Sequence, residues 1–186
     1  MIILMGVAGS GKSMQGRMLA DEAGYPWLST GELLRVLITG RRRHEMLTGK
    51  LLSDDEVINV VDTVMGLIDT SQRFVLDGFP RTIAQADWLL SKVNKKELKL
   101  TAIFHLVVSE EIVKERLDAR ARSDDNEGAI RNRFEEYRKM TVPILEHFKN
   151  AGITVTDIDA SKSPPVIHAQ IMDYLATIKN GTKIKI

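Results

Sequence analysis

Cysteine is missing from this chain of 186 residues, and its absence excludes several kinds of chemistry. Without thiols there can be no disulfide framework and no thiolate nucleophile. The four histidines do not replace cysteine as metal ligands, because none has metal-ligand spacing to another. We interpret them as structural or surface residues (His44, His105, His147 and His168).

An excess of charge of one sign is also lacking. Lysine and arginine number 26 against 25 aspartate and glutamate residues, a net charge of +1. This balance argues against bulk attraction to nucleic acid or to an anionic membrane. The basic run Arg41–Arg43 has no interleaved aromatic residues, so we interpret it as the solvated start of a short helical piece.

Long apolar runs are absent as well, since none approaches the ~20 residues that span a bilayer. The first residues lack the basic leading region of a signal peptide, and their short apolar run flows into a glycine turn. We therefore expect a cytoplasmic protein with no membrane and no nucleic-acid partner.

What the sequence does contain is a phosphate-loop motif at Gly6–Ser13, which reads Gly-Val-Ala-Gly-Ser-Gly-Lys-Ser. It follows a predicted buried strand, Ile2–Met5, and runs into a predicted helix at 12–22. Glycines allow the backbone N–H groups to converge on phosphate oxygens, and the helix adds its positive N-terminal end. Lys12 supplies a cation, and the Ser13 hydroxyl suits Mg²⁺. A chance glycine-rich turn is the alternative.

Predicted strands alternate with predicted helices along the whole chain. This order indicates the α/β class, with a mostly parallel sheet flanked by helices on both faces, in one domain spanning 1–186. We predict a five-stranded sheet of the P-loop NTPase type. Ligands bind beyond the carboxyl ends of such strands, so Gly6–Ser13 and 77–81 should meet at one mouth. Pro143 lies within a long predicted helix and predicts a kink near Thr141.

The strand at 74–76 is followed by two residues that suit phosphate chemistry, Asp77 and Arg81. Asp77 follows that strand directly, where an acid opposite a phosphate loop holds Mg²⁺ through water; capping the next turn is the alternative. Arg81 follows the constrained turn at 78–80, and its guanidinium fork matches phosphate oxygens; a surface salt bridge is the alternative.

Further arginines form a cluster in the second half of the chain. Arg116 and Arg120 are four residues apart on one helix face, Arg122 follows, and Arg133 lies in the next helix. A solvated basic face with acidic counter-ions is one interpretation. Phosphoryl transfer favours another, because it needs positive charge spread around the moving group.

In these motifs the sequence resembles the adenylate kinase family of nucleoside monophosphate kinases. The resemblance runs in order along nearly the whole chain. It rests on five segments: the phosphate loop at 6–12; Leu-Ser-Thr-Gly-Glu-Leu-Leu-Arg at 28–35; Leu-Asp-Gly-Phe-Pro-Arg-Thr at 76–82 with Gln85; Arg-Leu-Asp-Ala-Arg at 116–120; and Asp-Asp-Asn-Glu at 124–127 with Arg133.

The resemblance implies the reaction ATP + AMP ⇌ 2 ADP with Mg²⁺. It implies an ATP site at Gly9, Ser10, Gly11, Lys12, Ser13, Met14, Arg116, Arg120 and Lys162. It implies an AMP site at Thr30, Arg35, Lys50, Leu51, Leu52, Gly78, Phe79, Pro80, Arg81, Gln85, Arg122 and Arg133. The implied catalytic residues are Lys12, Arg81, Arg116, Arg120, Arg122 and Arg133, and the implied Mg²⁺ residues are Ser13 and Asp77.

Three departures from the family pattern stand out. The lid, at about 120–125, is minimal, and without cysteines it cannot bind zinc; we therefore expect no zinc and a more open ATP site with some wasteful hydrolysis. The monophosphate-binding segment, about 29–54, is short, so its helical insert is reduced. Ser13-Met14 stands where the family usually has Gly-Thr.

Alternatives to an adenylate kinase remain at this point. Thr30 and Gln85 match the adenylate pattern, yet a UMP/CMP kinase or another small-molecule kinase of the same fold is a second interpretation. A nucleotide-sensing binding protein with weak turnover is a third. In each case we expect a monomer that binds small nucleotides.

Overall fold

Strand β1, Ile2–Met5, lies in the middle of a parallel sheet. The structure is a computed structural model, and it describes residues 1–39, 52–120 and 127–179. Within these residues the sheet has five strands in the order β2-β3-β1-β4-β5, and every neighbouring pair is parallel. The other strands are β2 Trp27–Ser29, β3 Val75–Asp77, β4 Ala102–Val107 and β5 Val155–Asp159. The predicted fold class is confirmed.

The sheet is covered on both faces, as its apolar strands require. Alternate residues of β1 enter different apolar clusters. Ile2 and Leu4 pack in the cluster that contains Leu19 and Ile171, and Ile3 and Met5 pack in a second cluster with Leu89 and Phe148. Helices therefore lie on both faces, and the position of β1 is set by burial on each side.

The helices alternate with the strands, as predicted. A capping box is present at Ser53, whose hydroxyl accepts a hydrogen bond from the Glu56 backbone N–H. The second helix ends at Leu37. The described helices are α1 Lys12–Ala23, α2 Thr30–Leu37, α3 Asp54–Met65, α4 Ile83–Asn94, α5 Glu110–Arg120, α6 Glu127–Glu136, α7 Val142–Asn150 and α8 Pro164–Lys179.

A change of helix type lies at the position of the predicted kink near Thr141. A π-helical turn, Tyr137–Thr141, joins α6 to α7. Pro143, the second residue of α7, lacks the N–H that a regular α-helix would use there. The regular α-helical hydrogen-bond pattern is therefore interrupted just before Pro143.

The connections leave β1 and β3 in opposite directions across the sheet. The chain passes from β1 through α1 to the edge strand β2, whereas it passes from β3 through α4 to β4 on the other side of β1. A crevice therefore opens between the carboxyl ends of β1 and β3, which is where parallel α/β sheets bind ligands.

Several predicted residues lie outside the described part of the chain. These are Lys50 and Leu51 of the monophosphate-binding segment, Arg122 with most of the predicted lid, and the tail 180–186. Across the described ranges, no helix combines the length and apolar character that a membrane crossing requires.

Candidate active site

The phosphate loop lies between β1 and α1, against α5. Gly9 has a φ of +90°, a left-handed conformation that favours glycine, and a Cβ atom there would lie 2.9 Å from Cγ1 of Val113. The Ser10 N–H donates to the Val7 carbonyl over 3.1 Å, which closes the loop into a turn. Only a glycine at position 9 lets the loop fold this tightly onto α5.

Lys12, the first residue of α1, bends its side chain back over the loop. Its ammonium donates to the carbonyl oxygens of Gly6 and Val7 over 2.7 and 2.8 Å. The positive charge is thereby held at the rim of the loop, beside the N-terminal end of α1. Phosphate oxygens that enter the loop would meet both the charge and the helix dipole.

Ser13 and Asp77 join the two strands that border the crevice. The Ser13 hydroxyl donates to Oδ2 of Asp77 over 2.7 Å, and Asp77 is 2% exposed. A hydroxyl and a carboxylate are hard oxygen ligands of the kind that Mg²⁺ uses while it retains several waters. Among the described residues, no three His, Cys, Asp or Glu side chains are grouped as a metal ion would need, so this pair is the candidate for magnesium.

Two arginines, one on α2 and one in the turn between β3 and α4, converge on Gly31. A Cβ atom placed on Gly31 would lie 3.6 Å from Nη1 of Arg35 and 3.6 Å from Nη2 of Arg81. Like charges repel, so two guanidiniums around one open point suit an anion between them. We name this space the arginine cradle; it comprises Gly31, Arg35 and Arg81.

The floor of the arginine cradle is the turn after β3. Gly78 has a φ of +78°, and a Cβ atom there would lie 2.9 Å from the Thr30 hydroxyl oxygen. That oxygen lies 2.8 Å from the Gly78 carbonyl, to which Arg81 also donates from Nε over 2.8 Å. Phe79 is buried and packs edge-to-face on Trp88, so only its backbone, like that of buried Pro80, is available to a ligand.

The charge of Arg81 is set by its surroundings. Protein packed densely around the guanidinium lowers its pKa, and nearby Arg35 acts in the same direction. Asp77 and Glu136 oppose that shift. The ordinary value is so high that Arg81 remains a cation at neutral pH, and its side chain still presents surface to solvent.

Gln85 lies in the first turn of α4 and is 3% exposed. Its Oε1 accepts from the Arg81 backbone N–H over 2.7 Å, and its Nε2 donates to Oδ1 of Asp54 over 2.8 Å. Thr82 donates to the same Oδ1 over 2.8 Å. The amide predicted to contact an adenine is therefore held from both sides.

On the other side of the loop, a cavity of about 380 Å³ has the size and mixed lining of a small-ligand pocket. Arg116 borders it and donates to the Lys162 carbonyl over 3.3 Å. The Lys162 ammonium lies 3.8 Å from Asp159, whose pKa is lowered by a hydrogen bond from the Ser161 hydroxyl. A flat base could stack on the Arg116 guanidinium here. The lining residues are Ser10, Gly11, Met14, Gln15, Arg116, Ala119, Pro164 and Ile167.

The remaining predicted residues are placed less closely. Arg133 is half-buried on α6, beside Phe134, which shares an apolar cluster with Val7 of the loop. Leu52 is half-buried just before α3. Arg120 is the last residue of α5. The structure thus brings the phosphate loop, Asp77, Thr30 and the arginine cradle together around the crevice.

Three contacts beside the site were not predicted from the sequence. Asp54 contacts Gln85, 31 residues away. His105, predicted to be a structural or surface residue, bonds to Asp157 over 2.7 Å and to the Tyr137 hydroxyl over 2.6 Å. None of these contacts has a local sequence signal, because each joins separate elements.

A phosphate loop that faces an arginine cradle across the β1–β3 crevice defines a P-loop phosphotransferase. Residues 4–153 match the family model described as adenylate kinase. This match covers more than half of the chain, and the protein belongs to the adenylate kinase family. The predicted resemblance and the predicted enzyme class are both confirmed.

Curated relatives in several bacteria carry the same name. The chain is 38% identical to an adenylate kinase of Corynebacterium urealyticum, over 87% of this chain and 91% of the relative. It is 37% identical to one of Nocardia farcinica, over 84% and 90%. It is 35% identical to one of Rhizobium meliloti, over 94% and 99%. Similarity of this extent covers both sides of the crevice.

Proposed function

We propose that this protein transfers the γ-phosphate of ATP to AMP and forms two ADP reversibly, with Mg²⁺, as a cytoplasmic monomer. The observation that carries the proposal is the arginine cradle. A phosphate loop alone indicates one polyphosphate, whereas Arg35 and Arg81 converging on Gly31 add a second anion site across the crevice. Membership of the family supports AMP as the second ligand.

On the donor side, the loop amides and Lys12 would hold the ATP phosphates. The cavity beside Arg116 would take the base, with Ser10, Gly11 and Met14 on its loop side and Lys162 near its rim. Arg116 would stack on the base or reach the phosphates, since its guanidinium has both a planar face and forked donors. The same residues would hold one ADP in the reverse direction.

Magnesium would lie near Ser13 and Asp77, which supply two oxygen ligands at the crevice. Asp77 would bind it through water, and Ser13 would bind it directly, as in other phosphate-loop proteins. When bound, the ion neutralises charge on the phosphates. The hydrogen bond between Ser13 and Asp77 holds the carboxylate in the crevice, and this position determines where the ion would meet the phosphates.

On the acceptor side, Thr30 and the arginine cradle would hold the AMP phosphate, and Gln85 would contact the adenine edge. An oxygen of that phosphate, already deprotonated at neutral pH, would attack the γ-phosphorus. The bond from the γ-phosphorus to the oxygen that bridges the β- and γ-phosphorus atoms would break, and this oxygen would leave as part of ADP. Lys12, Arg81, Arg116, Arg120, Arg122 and Arg133 would stabilise the charge of the moving group.

A coupled assay of ADP formation tests this function. ATP and Mg²⁺ are supplied with AMP, CMP, UMP or GMP in turn, and omission of Mg²⁺ is the control. We expect AMP to be used at the highest kcat/KM and the rate to collapse without Mg²⁺. Preference for CMP or UMP would identify a pyrimidine nucleotide kinase instead, and tight nucleotide binding without turnover would identify a sensor.

A further inference from the structure

We propose that Asp54 determines the acceptor base of this enzyme by fixing the orientation of the Gln85 amide. The amide is then set to bind a 6-aminopurine and to reject a 6-oxopurine. The inference rests on the proposed function, which places the adenine of AMP against Gln85. Asp54 is a positioning residue in this proposal, because it acts through Gln85 and does not touch the nucleotide.

The orientation of the amide follows from its two contacts. Oε1 of Gln85 accepts from the Arg81 backbone N–H over 2.7 Å, and Nε2 donates to Oδ1 of Asp54 over 2.8 Å. A backbone N–H can only donate, and a carboxylate oxygen can only accept. Turning the amide over would set N–H against N–H and oxygen against oxygen. At 3% exposure, little water is available to relieve those conflicts.

Asp54 is itself held in place. The Thr82 hydroxyl donates to the same Oδ1 over 2.8 Å and accepts from the Gln85 backbone N–H over 3.2 Å. Asp54 also begins α3, directly after the Ser53 capping box. The carboxylate therefore sits between two helix starts, and such support keeps a binding group in one geometry.

The two contacts leave Gln85 one N–H and one oxygen lone pair, since a primary amide has two of each. Adenine presents a ring nitrogen that accepts and a 6-amino group that donates, which complements this pair. Hypoxanthine and guanine present N–H at that ring position and an oxygen at position 6, which opposes it. A freely turning amide would adapt to either pattern, so the fixed amide selects by repulsion as well as by attraction.

Three acceptors distinguish a fixed amide from a turning one in the unmodified enzyme. They are AMP, purine riboside 5′-monophosphate, which lacks the 6-amino group, and IMP, which has the 6-oxo pattern. With saturating ATP, we expect kcat/KM to fall about tenfold from AMP to purine riboside monophosphate, through one lost hydrogen bond. We expect a further fall of about tenfold to IMP, whose groups oppose those of Gln85.

An IMP value equal to or above that of purine riboside monophosphate would show that the amide turns and would overturn the inference. Absence of any transfer to AMP would overturn the proposed function instead, so the two failures differ. This series needs no variant, and it shows whether the Gln85 amide is fixed even if a substitution at position 54 prevents folding.

Asp54→Asn tests the role of the carboxylate directly. Asparagine has the same shape but can present either oxygen or N–H to Gln85, so we expect the gap between purine riboside monophosphate and IMP to shrink at least about fivefold. Asp55→Asn is the matched control. Asp55 is exposed in the same first turn of α3, and its substitution removes the same charge from the helix start. Circular dichroism confirms that both variants fold. An unchanged gap in Asp54→Asn, or an equal change in both variants, would overturn the proposal.

Discussion

Ser13 donates its hydroxyl hydrogen to Oδ2 of Asp77 over 2.7 Å and so joins the phosphate loop to the end of β3. The bond spans the crevice between the two central strands. Asp77 is buried, whereas Ser13 is exposed. The pair is thereby available to an ion that enters with a nucleotide.

Ser13→Ala should weaken the response of the enzyme to magnesium. Loss of one oxygen ligand, and of the bond that orients Asp77, should raise the Mg²⁺ concentration for half-maximal rate by about tenfold. The measurement is the steady-state rate against free Mg²⁺ at fixed ATP. Ser13→Thr, which keeps the hydroxyl, is the control and should retain most of the activity. A Mg²⁺ dependence unchanged in Ser13→Ala would refute the assignment.

Gly31→Ala should separate folding from AMP binding. The added Cβ would make ordinary contacts of 3.6 Å with the guanidiniums of Arg35 and Arg81, and alanine favours helices, so the free energy of unfolding should stay equal or rise by up to about 1 kcal/mol. The methyl group would occupy the place of the phosphate, and KM for AMP should rise at least about tenfold. Thermal unfolding and the KM values for AMP and ATP check this; a normal KM for AMP contradicts it.

Arg35→Lys and Arg81→Lys should each weaken the binding of the same ligand, AMP. Lysine keeps the charge but loses the fork that binds two phosphate oxygens, so each should raise KM for AMP by about tenfold or more. The double variant should show a coupling of at least about 0.5 kcal/mol, because both side chains meet the same anion. Arg17→Lys is the control, since Arg17 is exposed and its described contacts are with Glu32 and the half-buried Trp27 ring, outside the arginine cradle. Fully additive effects would place the two arginines on different ligands.

Tyr137 should make the stability of the protein depend on pH in the alkaline range. Burial, and then Asp157, raise the pKa of its phenol above the ordinary 10.0. The folded state therefore holds this proton more tightly than the unfolded state, so its stabilisation is complete below pH 10 and is lost as pH rises through the higher folded pKa.

Tyr137→Phe provides the comparison. It should be less stable near neutral pH by about 1 kcal/mol, through loss of the bond to His105. Because phenylalanine cannot ionise, the difference from the parent should narrow above pH 10. Urea unfolding at several pH values measures both; a difference that widens with pH would refute the assignment.

A lid as short as the one predicted at about 120–125 should allow some ATP hydrolysis. Closure over the nucleotides excludes water in this family, and a shorter lid should exclude it less. Phosphate release from ATP is measured without AMP and compared with transfer to AMP. We expect a slow but measurable hydrolysis, and its complete absence would show that another part of the chain shields the site.

The parts of the site that follow strands directly could be predicted from the sequence. Gly6–Ser13 and Asp77 each carry a local signal, and the parallel arrangement brings the ends of their strands to one edge. The structure confirms that they meet, at 2.7 Å between Ser13 and Asp77. The kink before Pro143 was equally predictable, since it depends on one missing N–H.

The order of the strands and the contacts between separate elements could not be predicted. The order of the strands depends on the packing of both sheet faces, which no single segment encodes. The contact between Asp54 and Gln85 joins two helix starts 31 residues apart, and His105 reaches Asp157 across 52 residues. Such pairs form only when the elements pack together, so spacing along the chain does not predict them.

The position of β1 beside β3 also divides the enzyme into two halves. Apart from Arg133 on α6, the candidate AMP-side groups described by the structure follow β2 and β3, whereas the cavity and Lys162 belong to segments after β1, β4 and β5. In sequence, the candidate AMP-side groups other than Arg122 and Arg133 lie in one stretch, 27–94, between the two parts that carry the candidate ATP side. A chimera that exchanges this single stretch with a relative of different acceptor preference would therefore retarget the enzyme while its phosphate donor stays the same.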